Sequence, residues 1–271
     1  MTRCFICNTD YTFYFTKQFN EFGLDTVDYY RCPNCGFVLS KTHAEMEASQ
    51  WERINIEFHR KLENFEYSTG ACGSQQLNQP PYLQQAVMLN TLHKNDLIDI
   101  SDCVDWGSGI GHLSNVLAKY FNIPIKNYDK YMTPHRQYLA EDEMAGRRFS
   151  TVINSAVFEH VTNRGILDEI NALVSDTGCL IFHTVVCEEI PCDPNWFYLA
   201  PPVHCAFHTN KSMAILMNQW GYSCSIYCPA AKMWTLFKDK PKGIESIVGA
   251  INLEFQTDYL YFKDGFMDYW K

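Results

Sequence analysis

A chain of 271 residues has room for one full-sized hydrophobic core and one small appendage. Its 46% hydrophobic and 20% charged residues are those of a globular protein in water, and the lack of any run of about 18 apolar residues excludes a membrane-spanning helix. A formal net charge of −9 opposes a polyanionic partner such as RNA or DNA, and the opening residues MTRCFICNTD lack the apolar stretch of a secretory signal, so a cytoplasmic, reducing setting is expected.

Residues 1–42 read as a compact module of short strands and turns. It carries two C-x-x-C knuckles, Cys4-Phe5-Ile6-Cys7 and Cys32-Pro33-Asn34-Cys35-Gly36, with 24 residues between them. Four thiolates in two knuckles match the tetrahedral donor set of Zn²⁺, and a closed four-sulfur shell leaves no open position. Cys4, Cys7, Cys32 and Cys35 are therefore expected to hold a structural zinc ion. A redox C-x-x-C would stand alone beside a βαβ unit. The remaining cysteines (Cys72, Cys103, Cys179, Cys187, Cys192, Cys205, Cys224 and Cys228) are scattered and expected to stay reduced.

Residues 43–81 link this module to the body. Periodic apolar positions over 44–66 predict a helix, and the Gly, Ser, Gln and Pro of 67–81 predict a loop. From 82 to 240 strand and helix patterns alternate. Helices are predicted over Tyr82–His93, His112–Phe121, Pro134–Met144, Arg164–Ser175 and Lys211–Trp220. Strands are predicted at Cys103–Trp106, Ile123–Tyr128, Ser150–Ser155 and Cys179–Val185, with a loop through 187–209 and a closing hairpin at Ser223–Tyr227 and Met233–Phe237. Residues 241–271 leave room for a helix and an aromatic tail. The alternation predicts an α/β fold, a mostly parallel sheet with helices on both faces.

Val104-Asp105-Trp106-Gly107-Ser108-Gly109-Ile110-Gly111-His112 carries the main functional signal: a strand, glycine at every second position, then a helix. Glycine permits unusual dihedrals and close approach of a ligand to the backbone, and exposed N–H groups at a helix start favour an anion. The spacing is G-x-G-x-G, unlike the G-x-G-x-x-G of dinucleotide sites. Asp105 would repel a pyrophosphate but suits an ammonium group. Asp129, at the end of the next strand, is placed to accept hydrogen bonds from two ribose hydroxyls.

This pattern resembles motif I and the following acidic position of class I S-adenosylmethionine-dependent methyltransferases. Phe149 to Val161, with its Phe158-Glu159-His160-Val161 ending, resembles the family's strand-four segment, and Gly178-Cys179-Leu180-Ile181 its strand five. The resemblance covers about residues 82–238 and implies a Rossmann-like methyltransferase sheet. It implies donor contacts from Asp105, Gly107, Ser108, Gly109, Gly111 and Asp129, then Lys130 and Tyr131, with Asn154 and Ser155 beside the methionine portion. Tyr131 and Met132 are placed to cover adenine. Only twenty residues separate Asp129 from Phe149, too few for a helix, a third strand and its return.

Two families join a zinc knuckle to this domain, one methylating guanine in ribosomal RNA, the other acting on bacterial sugars. Tyr30-Arg31-Cys32-Pro33-Asn34-Cys35-Gly36 resembles the Y-x-C-x-x-C-G of the second. A small-molecule acceptor, a sugar or nucleotide-linked sugar, is the expectation. An RNA acceptor gripped through a strip of Arg3, Lys17, Arg31, Lys41, Arg60 and Lys61 is the runner-up, and a non-catalytic donor-binding protein the third reading. Candidate bases are Glu159, His160, His183, His204 and His208. The E-H pair also occurs in quinone O-methyltransferases, where nearby acids hold a divalent metal; Ala156 occupies one such acidic position, so no catalytic metal is expected.

Overall fold

The computed structural model describes residues 3–69, 80–131 and 138–269, with the backbone alone over 62–69. In chain order it holds β1 (Thr12–Gln18), β2 (Thr26–Arg31), β3 (Val38–Ser40), α1 (Lys41–Ala44) and α2 (Ala48–Thr69). There follow α3 (Tyr82–Lys94), β4 (Cys103–Trp106), α4 (His112–Phe121), β5 (Lys126–Tyr128), α5 (Glu141–Met144) and β6 (Phe149–Ser155). Next come α6 (Arg164–Ala172), β7 (Val174–His183), β8 (Val186–Cys187), β9 (Ala206–Thr209) and α7 (Asn210–Gln219). The chain closes with β10 (Cys224–Cys228), β11 (Met233–Phe237), α8 (Ile244–Phe255) and β12 (Tyr261–Asp264).

These elements form two compact units, each built from three stretches of chain. Unit 1 takes residues 1–79, 158–166 and 185–212; unit 2 takes 80–157, 167–184 and 213–271. The unit grown on the cysteine module is thus larger than residues 1–42. Its sheet runs β1-β2-β3-β9-β8, antiparallel except for the β8–β9 pair. Phe15, Val27 and Tyr29 are buried on the β1–β2 hairpin, with Phe15 and Tyr29 stacked at 5.0 Å. Ser40 caps α1, its Oγ accepting from the His43 amide. The stretch predicted as a loop through 187–209 supplies β9, which pairs Phe207 and Ala206 with Val38 and Leu39.

Unit 2 holds the expected Rossmann-like sheet, in the order β12-β10-β11-β7-β6-β4-β5. β7, β6, β4 and β5 run parallel, and β11, β10 and β12 follow antiparallel. The predicted hairpin is β10–β11. The aromatic tail contributes β12 as one more edge strand. α3 and α4 bury Leu89, Leu92, Leu113 and Leu117 against Ile153, Ile181 and Ile226 of the sheet. α6 ends at Ala172 rather than Ser175 because β7 begins early. A Cβ on Gly178 would stand 2.8 Å from the Ser150 carbonyl oxygen, so only glycine lets the chain pass this close to β6.

Among the described residues between Asp129 and Phe149, the pairing to β5 is one parallel bridge between Asn127 and Tyr138. The predicted helix from Pro134 begins outside the described residues, and its described part is helical only from Glu141. Met132, Cys72 and most of the 67–81 loop also lie outside the described residues.

Candidate functional site

Unit 2 places the glycine turn between β4 and α4. Gly107, Gly109 and Gly111 have φ of 75°, 55° and 77°, the left-handed region where side chains are strained. Gly107 is also tightly enclosed, since a Cβ there would lie 2.5 Å from Val157 Cγ2. A Cβ on Gly109 would meet nothing within 4 Å, so its backbone faces open space. The amides of Gly107 and Ser108 donate inward to the Tyr128 carbonyl at 2.8 and 3.2 Å. The Gly109 amide donates to Asp129 Oδ2 at 2.8 Å. These three N–H groups are therefore spent on the turn itself, unlike the exposed amides expected there.

Asp129 is fixed from both sides, its Oδ1 accepting from the Tyr131 amide at 2.8 Å. Lys130 is exposed and Tyr131 half-buried. Tyr138 donates through its hydroxyl to the Gly109 carbonyl at 2.7 Å, closing the turn.

Asp105 is 2% exposed, and its Oδ1 is buried without a hydrogen-bond partner. Burial, aided by the charge of Asp129, pushes its carboxyl up to about 8. Such a group lacks a cation, and an ammonium would supply both the charge and the missing donor. Asn154 donates from Nδ2 to the Trp106 carbonyl at 3.1 Å, while its Oδ1 is also unpartnered. Ser155 donates to Gln85 Oε1 at 3.1 Å, and Gln85 Nε2 is buried without an acceptor. Gln85, on α3, escaped the sequence reading because nothing in a helical pattern marks one glutamine as a lining residue. Asp105 and Asn154 thus bring buried oxygens without hydrogen-bond partners among the described residues to the glycine turn.

The candidate bases part company. His183 is in unit 2, its Nδ1 hydrogen-bonded to the Lys232 carbonyl at 2.7 Å. His208 is fully buried in unit 1 between Phe37 and Phe158, with ring centroids 4.9 and 5.8 Å away. Burial lowers His183 to about 4 and His208 to about 3, so both rings are neutral at ordinary pH. Glu159, His160 and His204 do come together in unit 1, with ligand-type atoms all within 4.8 Å of one another. His59 from α2 stacks on His160 at 5.6 Å, and the Tyr198 hydroxyl donates to Glu159 Oε1 at 2.6 Å. His59 did not stand out in the sequence, because it joins the cluster only through tertiary packing, whereas Tyr198 lies in the aromatic and histidine-rich stretch Trp196–Thr209.

The four knuckle cysteines also converge in unit 1. Cys4 and Cys35 Sγ are 3.7 Å apart, Cys7 and Cys32 Sγ 3.4 Å, and all four lie within 4.8 Å. Sulfurs about 2.3 Å from a tetrahedral Zn²⁺ stand about 3.8 Å apart, so the donor set fits. Gly36 (φ 74°) follows the second knuckle, and Thr209 of β9 donates to the Cys35 carbonyl. Unit 1 further holds a cavity of about 500 Å³ with Phe19, Phe22 and Phe58 on its walls and Gln18, Asn20 and Lys61 among its polar groups.

Residues 79–225, just over half of the 271, match the family model of a methyltransferase domain. No curated protein sequence matches the chain. Among solved structures it is similar to magnesium protoporphyrin IX methyltransferase from Synechocystis with bound SAH (14% identity, TM-score 0.46, covering 70% of this chain and 97% of that one). It is also similar to the plantazolicin methyltransferase in complex with a desmethyl substrate analogue and SAH (9%, 0.45, 79% and 95%). Human N-acetylserotonin methyltransferase in complex with SAM is a third (13%, 0.45, 70% and 57%). These are distant likenesses of fold. The family match is decisive: the chain belongs to the methyltransferase-domain family and is a methyltransferase.

Proposed function

We propose that this chain transfers the methyl group of S-adenosylmethionine to a small molecule of the sugar or nucleotide-linked sugar class. The buried, unpartnered carboxylate oxygen of Asp105 beside three left-handed glycines carries the donor half of this reading. In it Asp105 holds the donor ammonium, Asp129 its ribose hydroxyls, Tyr131 its adenine, and Asn154 and Ser155 its methionine portion. When bound, the donor supplies an electrophilic methyl on a sulfonium. Displacement there needs alignment first, and a base only where the acceptor must shed a proton.

The acceptor class rests on the knuckle resemblance and on charge. Arg3 pairs with Asp10, Arg31 with Glu189, Lys41 with Glu45 and Lys61 with Glu21, so the strip an RNA would need is largely neutralised. In the same reading the four knuckle thiolates hold a structural Zn²⁺. A ring-bearing ligand also suits the aromatic cavity of unit 1. Calorimetric titration with S-adenosylhomocysteine tests the donor site: saturable one-to-one binding is expected. Absence of heat, or affinity unchanged in Asp129→Ala, overturns it. Methyl transfer to nucleotide-sugars measured against transfer to RNA tests the acceptor.

A further inference from the structure

We propose that Glu159, His160 and His204 form a second metal site, which takes a divalent first-row transition ion and leaves coordination positions open. The three lie close in space although His204 is far along the chain from the other two. Glu159 and His160 sit on the 3-10 turn Phe158–His160, where the chain has just left β6 through Ala156, itself left-handed at φ 60°. His204 comes from the stretch before β9, and the Cys205 amide donates to the Glu159 carbonyl at 2.8 Å, pinning the two segments together.

The hydrogen bonds around the cluster fix what each group presents. His204 Nδ1 lies 2.7 Å from the Tyr198 carbonyl oxygen. A carbonyl only accepts, so Nδ1 carries the proton and Nε2 is left with a lone pair. Glu159 is 1% exposed and Tyr198 O–H donates to its Oε1, which holds the carboxylate in place. The rings of His160 and His204 meet at 5.0 Å, and His59 stacks on His160 with planes only 27° apart. A carboxylate and an imidazole lone pair converging within 4.8 Å are acceptors that a cation would satisfy. The supports are those of metal sites: an imidazole anchored to a backbone carbonyl through its other nitrogen, and a carboxylate ligand held by a hydroxyl.

Two imidazoles and one carboxylate are the donor set of catalytic Zn²⁺ and of non-haem Fe²⁺, too hard for a thiophilic ion and richer in nitrogen than Mg²⁺ or Ca²⁺ sites. Three protein ligands leave room for water or a hydroxyl, whose proton the ion would loosen. The site thus differs from the Cys4 cluster in exchangeability.

Co²⁺ is the probe. Whole protein loaded with it is expected to bind two ions. One, at the cysteines, gives intense sulfur-to-metal charge transfer; the other gives only weaker d–d bands and leaves first on mild chelation. His204→Gln and Glu159→Gln should each remove the second ion, or weaken it at least 10-fold, while the charge-transfer band persists as proof of folding. The half-buried His160→Gln gives the same test with less disturbance of the interior. One equivalent of Co²⁺ in the native protein, or two in all three variants, overturns the proposal.

Discussion

The two units gather different buried polar groups. Unit 1 collects thiols into one cluster and two imidazoles with a carboxylate into another, the ligand-type atoms of each lying within 4.8 Å of one another. Unit 2 keeps a carboxylate oxygen, an amide oxygen and an amide nitrogen around its glycine turn without hydrogen-bond partners among the described residues. Unmet bonding costs free energy unless a ligand answers it. In the proposed reading metal answers the first unit and an organic cation the second, so each should fail under different conditions.

The largest difference is expected on removing the metal. Stripping Zn²⁺ with a strong chelator, or Cys35→Ser, should unfold the β1–β3 sheet, since structural zinc contributes on the order of 10 kcal/mol in small modules. Hydrogen exchange should rise across Thr12–Ser40 and Ala206–Thr209 and stay slow in β4, β6 and β7. Uniform loss in both units would erase the contrast. Asp105→Asn comes next, acting on the other unit. Losing the charge opposite the donor ammonium should weaken S-adenosylhomocysteine by about 30–100-fold, equal to about 2–3 kcal/mol. The same change should raise the thermal midpoint of unliganded protein by about 2–4 °C at pH 8, because a carboxylate costly to ionise is gone. A lowered midpoint would show that Asp105 has a partner.

Gly107→Ala should cost about 1–3 kcal/mol by denaturant titration, from left-handed strain and the collision with Val157. Acidification sharpens the comparison further. Burial holds His43 at about 4 and His208 at about 3, both in unit 1. Histidines with depressed native pKa values contribute stability above about pH 6.5 that is lost as pH falls toward 4. His183 does the same in unit 2, but there Asp105 opposes it. Its carboxyl, at about 8 in the native state against about 3.9 unfolded, relieves unit 2 as pH drops through that window. Between pH 6.5 and 4 unit 1 should open first in hydrogen exchange. Smallest of all, Lys61→Ala should change stability by under about 0.5 kcal/mol, its partner Glu21 being well exposed.

Unit 2 was legible because its signals are local. Cys103–Trp106 and His112–Phe121 have their predicted ends, since a buried run breaking into glycines fixes both the strand and the helix start. The scarcity of strand pairing among the described residues after Asp129 could be anticipated from its distance to Phe149. Unit 1 was legible only at its knuckles, where spacing alone defines the donor set. Its β3–β9 pair joins residues near 39 to residues near 206, and no periodicity within either segment announces such a partner. The same reason hid His59: a stacking ring gains meaning only from what the fold brings beside it. Inward-facing amides in the glycine turn were missed because sequence cannot tell which of two acceptors an N–H will meet.

β9 also sets a schedule for biosynthesis. All four thiols have been synthesised by Cys35, yet the strand that seals their sheet, and the threonine that braces the second knuckle, arrive only with Ala206–Thr209. Throughout that interval the nascent cysteines stand unguarded against oxidants. Early ion capture, ahead of tertiary closure, would be their protection, so recombinant yield should track zinc supply during translation more than zinc added to the finished polypeptide.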